Sequence, residues 1–245
     1  MIPKKIHYCW FGGNPLPETV QRCINSWRKF CPDYEIIEWN ESNYNIHKIP
    51  FIAEAYDAKK YAFVSDYARL DIIYNEGGIY LDTDVELIRS LDTLLSNNSF
   101  MGMEFAGQVA TGLGFGAEKH HKFIKKNMEI YENLKFDAQH IVTCVEITTS
   151  LLKKYGLTSK NIIQDVAGLT IYPTEYFCPY NMETRKTLIT DNTYSIHHYD
   201  ATWYGTGINA KMKKIFLPIK IKIRIFIDMV LGEGTYEKLK QYFKN

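Results

Sequence analysis

The stretch Ser65 to Glu86, SDYARLDIIYNEGGIYLDTDVE, constrains this chain more than any other. Its first half spaces apolar residues as a helix does, Gly77-Gly78 ends that pattern, and Ile79-Tyr80-Leu81 is a short apolar run of the kind found in a buried strand. Asp82 and Asp84 follow at once. In an extended backbone, side chains two residues apart point to the same side, so the two carboxylates converge while Thr83 turns away. Two anions at the end of a buried strand repel, and desolvation raises at least one pKa unless a cation neutralises them. Hard oxygen donors with open positions suit Mg²⁺ or Mn²⁺, which keep waters and take the rest of their shell from a diphosphate. The competing role is a solvated turn, where Asp is common.

Upstream, Lys5 to Phe11 reads as a first strand and Gly12-Gly13-Asn14-Pro15 as the turn that ends it. Pro17 and Glu18 suit a helix first turn, after which Val20, Cys23, Ile24, Trp27 and Phe30 recur at helical spacing. Glu35 to Trp39 is a second strand. This βαβ opening is that of a nucleotide-binding α/β fold, whose ligands sit outside the carboxyl ends of the strands. Trp10 lies at such an end. Its indole offers a flat face for stacking a base, and core packing beside a turn is the competing role. Helices are expected over 50–60 and 61–75, and Asp66 and Arg69 then share one helical face at i and i+3. They form either a surface ion pair or a clamp of acceptor and donors on the hydroxyls of a sugar.

Downstream, a strand is expected over 100–105 and helices over 118–134 and 147–155, with Gly156 closing the last. Thr111 to Gly116 carries three glycines, which permit close backbone approach, but no GxxxxGK[ST], so it is not a phosphate-binding P-loop. Gly168 to Phe177 is strand-like and interrupted by Pro173. Tyr194 to His198 is a last short strand that delivers His197 and His198. Adjacent strand residues face opposite ways, so only one of the two can enter a site, where imidazole is a fair third ligand for Mn²⁺.

At 245 residues the chain can bury one sizeable core, and its net charge of +1 argues against nucleic acid as a partner. Five cysteines, odd in number and without CxxC pairs, support neither a disulfide framework nor a zinc site, so a reducing, cytoplasmic compartment is expected. The opening MIPKKIHYCW is no signal peptide, and no apolar run is long enough to span a bilayer. Charge is uneven: 211–245 holds nine basic residues against three acidic ones, a net +6. Pro218 to Leu231 mixes those cations with isoleucines and Phe226, as either a segment seated on an anionic membrane surface or a charged helix or edge strand packed on the core does. A catalytic domain over 1–210 and a basic amphipathic extension over 211–245 are therefore expected, with a peripheral position at the inner face of the plasma membrane.

Three stretches in order, IHYCWFGGNPLPE, SDYARLDIIYNEGGIYLDTD and HHYDATW, resemble the bacterial capsular-polysaccharide branch of glycosyltransferase family 32. That family is similar in its catalytic core to the glucosylating domains of the large clostridial toxins. The resemblance covers about residues 2–205. It implies a GT-A fold, a Rossmann-like mixed sheet flanked by helices, and retaining transfer of a hexose from a nucleotide sugar with a divalent metal. Motif by motif, it implies that Trp10 stacks on the base, Asp66 and Arg69 hold the donor sugar, and Asp82 contacts ribose and, through water, the metal. Asp84 would ligate the metal, His198 would be the third ligand, and Trp203 would hydrogen-bond the diphosphate. The toxins carry Ser two residues before that Trp, where this chain has Ala201, and the choice between His197 and His198 stays open.

The expected activity is hexosyl transfer, with galactose or glucose from a UDP-linked donor, onto a saccharide acceptor of capsular or other surface polysaccharide, lipid-linked if the tail lies on the membrane. One alternative is a phosphatase of the haloacid dehalogenase type, with Asp82 as nucleophile and Asp84 as acid. Such motifs open the chain and need a later paired acidic motif with an upstream Lys, whereas here some eighty residues precede and no second DD or GDxxxD follows. The other is a non-catalytic carbohydrate-binding subunit.

Overall fold

The computed structural model describes residues 1–138, 140–181 and 186–199, with Ile227 and Thr235 as single positions beyond them. The chain divides into two units, Met1–Tyr199 and Asp200–Asn245, and the strands and helices of the fold belong to the first. Trp203 and, apart from those two positions, the basic segment 211–245 lie outside the described residues.

β1 (Lys5–Cys9), α1 (Glu18–Phe30) and β2 (Glu35–Trp39) form the expected βαβ opening, with β1 and β2 parallel from Lys5 opposite Glu35 to Cys9 opposite Trp39. Helices α2 (Pro50–Asp57) and α3 (Tyr61–Glu76) then lead into β3 (Gly78–Tyr80), which lies on the other side of β1 and parallel to it. The connections leaving β1 and β2 therefore go opposite ways, and the crevice between β1 and β3 is a topological switch point. Trp10 ends one wall of that crevice and Asp82 the other.

β4 (Val85–Leu87) follows, then β5 (Ser99–Phe105) and β6 (Gln108–Ala117), a hairpin whose second strand pairs antiparallel with β3. The glycine-rich segment is thus a central strand. Its glycines lack side chains because neighbours fill the space: a Cβ on Gly116 would stand 2.6 Å from the Phe100 ring, and one on Gly112 would strike Asp82.

α4 (Lys122–Glu132) is shorter than expected, and α5 (Cys144–Lys154) starts three residues early. The cause is a capping box: the Thr143 hydroxyl accepts from the Glu146 amide and the Glu146 carboxylate accepts from that of Thr143.

β7 (Gln164–Val166) and β8 (Leu169–Tyr172) complete a seven-stranded sheet in the order β2-β1-β3-β6-β5-β8-β7. The strand expected through Phe177 stops at Pro173, which caps the one-turn α6 (Thr174–Phe177). A small hairpin, β9 (Tyr180–Asn181) with β10 (Lys186–Thr187), precedes β11 (Ser195–His197), which pairs antiparallel with β4. The sheet is mixed, with helices on both faces, as a GT-A-like fold requires.

Alternation divides the core in two. Cys9, Tyr80, Met101 and Phe115 face α2 to α5 on one side, while Ile6, Tyr8, Ile79, Leu81 and Phe100 face α1 and α6 on the other. Helix α3 is buried at every residue from Phe63 to Ile73, and that run includes Asp66, Arg69 and Asp71. Charges in so enclosed a helix must be paired, which is the origin of the site. All five cysteines are free. No helix of the described residues is long and apolar enough to cross a membrane.

Candidate active site

Arg69 is the hub. Its Nη2 lies 3.0 Å from Asp66 Oδ1 and 3.2 Å from Asp82 Oδ1, so one guanidinium ties α3 to the end of β3. The fork is fixed on its other edges: Nε donates to the Ser65 carbonyl at 3.0 Å, Nη1 to the Thr111 hydroxyl at 3.4 Å, and the group lies 5.0 Å over the Tyr80 ring. Only 4% of the Arg69 side chain is exposed. The surface ion pair considered from the sequence is therefore a buried one.

Asp82 is held from three directions. Its amide donates to the Gly112 carbonyl at 3.1 Å, the Tyr80 hydroxyl donates to Oδ1 at 3.1 Å, and Arg69 supplies the charge. Tyr80 and Asp82 share a face by the period-2 rule that made Asp82 and Asp84 converge. Burial pushes both Asp66, to about 6, and Asp82 upward, and Arg69 works against that rise in each case.

Strand β11 brings a third donor. Its register sets His197 opposite Val85, and the His198 amide donates to the Asp84 carbonyl at 3.0 Å. His197 Nε2 is 3.2 Å from Asp84 Oδ1, whereas His198 Nε2 reaches out to Glu86 Oε2 at 2.8 Å. Of the two histidines between which the sequence left the choice open, His197 lies beside the aspartates, and His198, the one expected as ligand, turns to Glu86. The physical reason is the pleat: neighbouring residues of a strand cannot face one site.

Asp82, Asp84 and His197 each offer a ligand atom, and these atoms lie within 4.8 Å of one another. Burial disfavours the His197 cation, but Asp84 and then Asp82 outweigh it and raise the pKa. His197 Nδ1 is buried without a hydrogen-bond partner among the described residues. Three aspartates set against one guanidinium leave an excess of negative charge. Two carboxylate oxygens and an imidazole are a donor set suited to a divalent cation such as Mn²⁺ or Mg²⁺, so the residues fit the expected metal.

Four residues at the site escaped the sequence reading. Gly112 belonged to a stretch noted only for close approach, and a Cβ there would stand 2.1 Å from Asp82 Oδ2. Cys144 Sγ, 4.0 Å from Arg69 Nη1, enters through the early start of α5, which the T-x-x-E pattern at Thr143 signals. Glu104, near the end of β5, is raised by burial against the opposing effects of His197 and of a Tyr199 hydrogen bond. Tyr199 itself, at φ +55°, sets its ring 4.2 Å from that of His197 and its hydroxyl 2.9 Å from Cys178 Sγ. Nothing in the sequence pattern singles out Glu104 or Tyr199. The indole Nε1 of Trp10 donates to the Asn14 carbonyl at 2.6 Å, within its own turn.

Residues 17–101 match a family described as the glycosyltransferase sugar-binding region containing a DXD motif. The fold is GT-A-like and carries that region. Inositol phosphoceramide mannosyltransferase 3 of Schizosaccharomyces pombe is 31% identical over 137 residues, 54% of this chain and 37% of the relative. The chain spans about a third of the length of the first curated relatives it matches. An uncharacterized glycosyltransferase of Acanthamoeba polyphaga mimivirus is 26% identical over 239 residues, 92% of each chain. Among solved structures, the PaToxG glycosyltransferase aligns with a TM-score of 0.52 at 19% identity, over 62% of this chain and 69% of that one, a likeness of fold. The matched region spans Asp82-Thr83-Asp84, the DXD sequence that the family's description names, and its description is of glycosyltransferases rather than phosphatases. Among the described residues, the cation against Asp82 is Arg69 rather than the Lys that alternative needs.

Proposed function

We propose that this chain transfers a hexose from a nucleotide sugar to a saccharide acceptor, with a divalent cation held by Asp82, Asp84 and His197. The observation that carries this reading is the convergence of those three side chains with the Asp66–Arg69 pair at the carboxyl end of β3, where Asp66, Arg69, Asp82 and Asp84 belong to the matched residues 17–101 and His197 joins them from β11. A cation bound there supplies charge neutralisation for a diphosphate leaving group.

The chain's own residues supply the rest. In this reading Asp66 and Arg69 hold the donor sugar: the N–H groups of Arg69 are engaged by Ser65, Thr111, Cys144, Asp66 and Asp82, so it fixes the Asp66 and Asp82 carboxylates as acceptors for hydroxyls, and a sugar oxygen that reaches Arg69 itself replaces one of those partners. Trp10, with its indole N–H engaged by Asn14, has its ring faces for a base. In this reading Asp82 also contacts ribose, Trp203 bonds the diphosphate, and the basic segment 211–245 meets an anionic membrane surface at the cytoplasmic leaflet. A retaining, front-face route fits a site in which Asp66 and Asp82 are tied to Arg69 and Asp84 to His197, because that route needs no protein carboxylate as base.

UDP-galactose and UDP-glucose are the first donors of this reading, for an acceptor in capsular or other surface polysaccharide, lipid-linked if the membrane contact holds. GDP-mannose is the second, favoured by the mannosyltransferase among the relatives. The test is release of free nucleoside diphosphate from each of the three donors with Mn²⁺, followed by the anomeric configuration of the product. Cation-dependent turnover of one donor is the expected result. Turnover of none, with or without added oligosaccharide, would sink the reading.

A further inference from the structure

Helix α3 carries a second polar stripe. Asp71 and Asn75 lie one turn apart, and Asp71 is roughly 200° around the helix from Arg69, so the stripe faces away from the hub. Asn75 is about 13 Å along the axis from Asp66. This stripe forms one side of a separate groove of about 390 Å³, within the span of small-molecule pockets. The other side is the loop after β2, and Trp39 lines it too.

The charges in this groove are already cancelled. Lys48 Nζ donates to both Asp71 oxygens at 2.7 Å, and the Tyr44 hydroxyl donates to Asp71 at 3.0 Å. Glu76 is paired with Lys5 at 3.1 Å and lies 3.8 Å from Lys119. What is left is neutral hydrogen-bonding capacity. The Asn75 amide nitrogen donates to the carbonyl and carboxylate of Asp71, which turns its oxygen away as an acceptor without a partner among the described residues. The Asn45 oxygen accepts from the His47 amide, which leaves its NH₂ as a donor likewise without one. The ammonium of Lys48 has three hydrogens and is 43% exposed.

An indole flanked by one open amide acceptor, one open amide donor and a charge-neutral ion pair matches a sugar ring, which offers C–H groups on a face and hydroxyls around its rim. A phosphate would need an unbalanced cation and an ammonium ligand an unbalanced anion, and among the described residues the groove has neither. We infer that the groove between Trp39, the loop at Asn45–Lys48 and the Asp71–Asn75 stripe is an accessory binding subsite for a neutral saccharide. It goes beyond the glycosyl-transfer reading and does not depend on a cation at Asp84.

The test is a heteronuclear NMR titration of the full chain with maltohexaose, cellohexaose and mannohexaose, following the tryptophan indole N–H signals. The Trp39 signal is assigned by its loss in Trp39→Phe. A saturable shift of that signal with at least one oligosaccharide is expected, weakened about three- to tenfold by Asn45→Ala and unchanged in Asp84→Asn. Three results would overturn the assignment: no shift of the Trp39 signal with any of the three, a shift with uridine diphosphate in their place, or loss of the oligosaccharide shift in Asp84→Asn. Failure of donor turnover alongside a retained shift would count against the catalytic reading alone.

Discussion

Asp82 and Gly112 share a single space: the Asp82 carboxylate occupies the volume that a side chain on Gly112 would need, with Oδ2 2.1 Å from the position of a Cβ. The same Cβ would be 3.2 Å from Arg69 Nη1, so neither partner of the ion pair can stay in place. Gly112→Ala is expected to push Asp82 off Arg69 and Tyr80, at about 1–3 kcal/mol of stability, the usual cost of overpacking. A displacement near 1 Å at such a site lowers turnover by about 10²-fold. Nucleotide release from the donor and the gain in Tm with Mn²⁺ should both collapse. Full activity in this variant would show that Asp82 does not need its observed position.

The two histidines separate by substitution. His197→Ala removes the imidazole beside Asp84 and is expected to weaken Mn²⁺ binding by more than about 10-fold, since even outer contacts of metal ligands are worth 10- to 100-fold. Among the described residues, the side-chain contact that His198→Ala removes is the one with Glu86, in which both side chains are about a third exposed. That pair is worth no more than about 1 kcal/mol. Titration of Mn²⁺ by loss of solvent-relaxation enhancement distinguishes them, and equal effects of the two variants would undo the assignment of His197.

Arg69→Met leaves the Asp66 and Asp82 carboxylates without their cation. Removing one partner of a buried pair costs about 3–5 kcal/mol, because the remaining charge is left unpaired, and the loss should appear as a lower urea midpoint with an unchanged slope. Adding Asp66→Asn to that variant should restore part of the loss. A double variant as unstable as the sum of its single changes would mean that Arg69 acts through packing instead.

The βαβ opening and α3 were legible because their apolar periods are strong and their ends are punctuated by Gly12-Gly13, by Cys31-Pro32 and by Gly77-Gly78. The convergence of Asp82 and Asp84 followed from backbone period alone. The pairing of Asp66 with Arg69 was visible as spacing, but its burial was not: helix periodicity cannot reveal that α3 is enclosed on all sides. β6 was hidden because its alternate glycines carry no hydropathy signal, their role being to vacate space for Asp82 and Phe100. Glu104 was unreadable because it meets His197 from a strand distant in sequence, a matter of register rather than of local pattern, and Tyr199 because it reaches the His197 ring two residues away through a backbone at φ +55° that no glycine or turn residue announces.

His7 ties the site's framework to pH. Its Nε2 donates to the Gly77 carbonyl at 2.9 Å and its Nδ1 accepts from the Trp39 indole at 3.1 Å, so the ring is neutral and both nitrogens are used. Burial pulls its pKa down from 6.5 to about 4, against a partial rise from the Gly77 bond. Above pH 6.5 the imidazole is uncharged in both the folded and the unfolded chain, and its ionisation contributes nothing to stability. As pH falls from 6.5 toward 4, the unfolded chain takes up a proton that the folded chain refuses, and stability declines by up to about 3 kcal/mol. Below pH 4 both forms are charged and the slope disappears. Asp66, raised to about 6 by burial, acts with the opposite sign over part of that range, so the measurement is a comparison. Urea unfolding of the wild type and of His7→Gln across pH 4 to 6.5 should give a shallower fall for the variant, whose absolute stability is lower throughout. Parallel slopes would mean that His7 is protonated in the folded chain and that the Trp39 N–H faces a different acceptor.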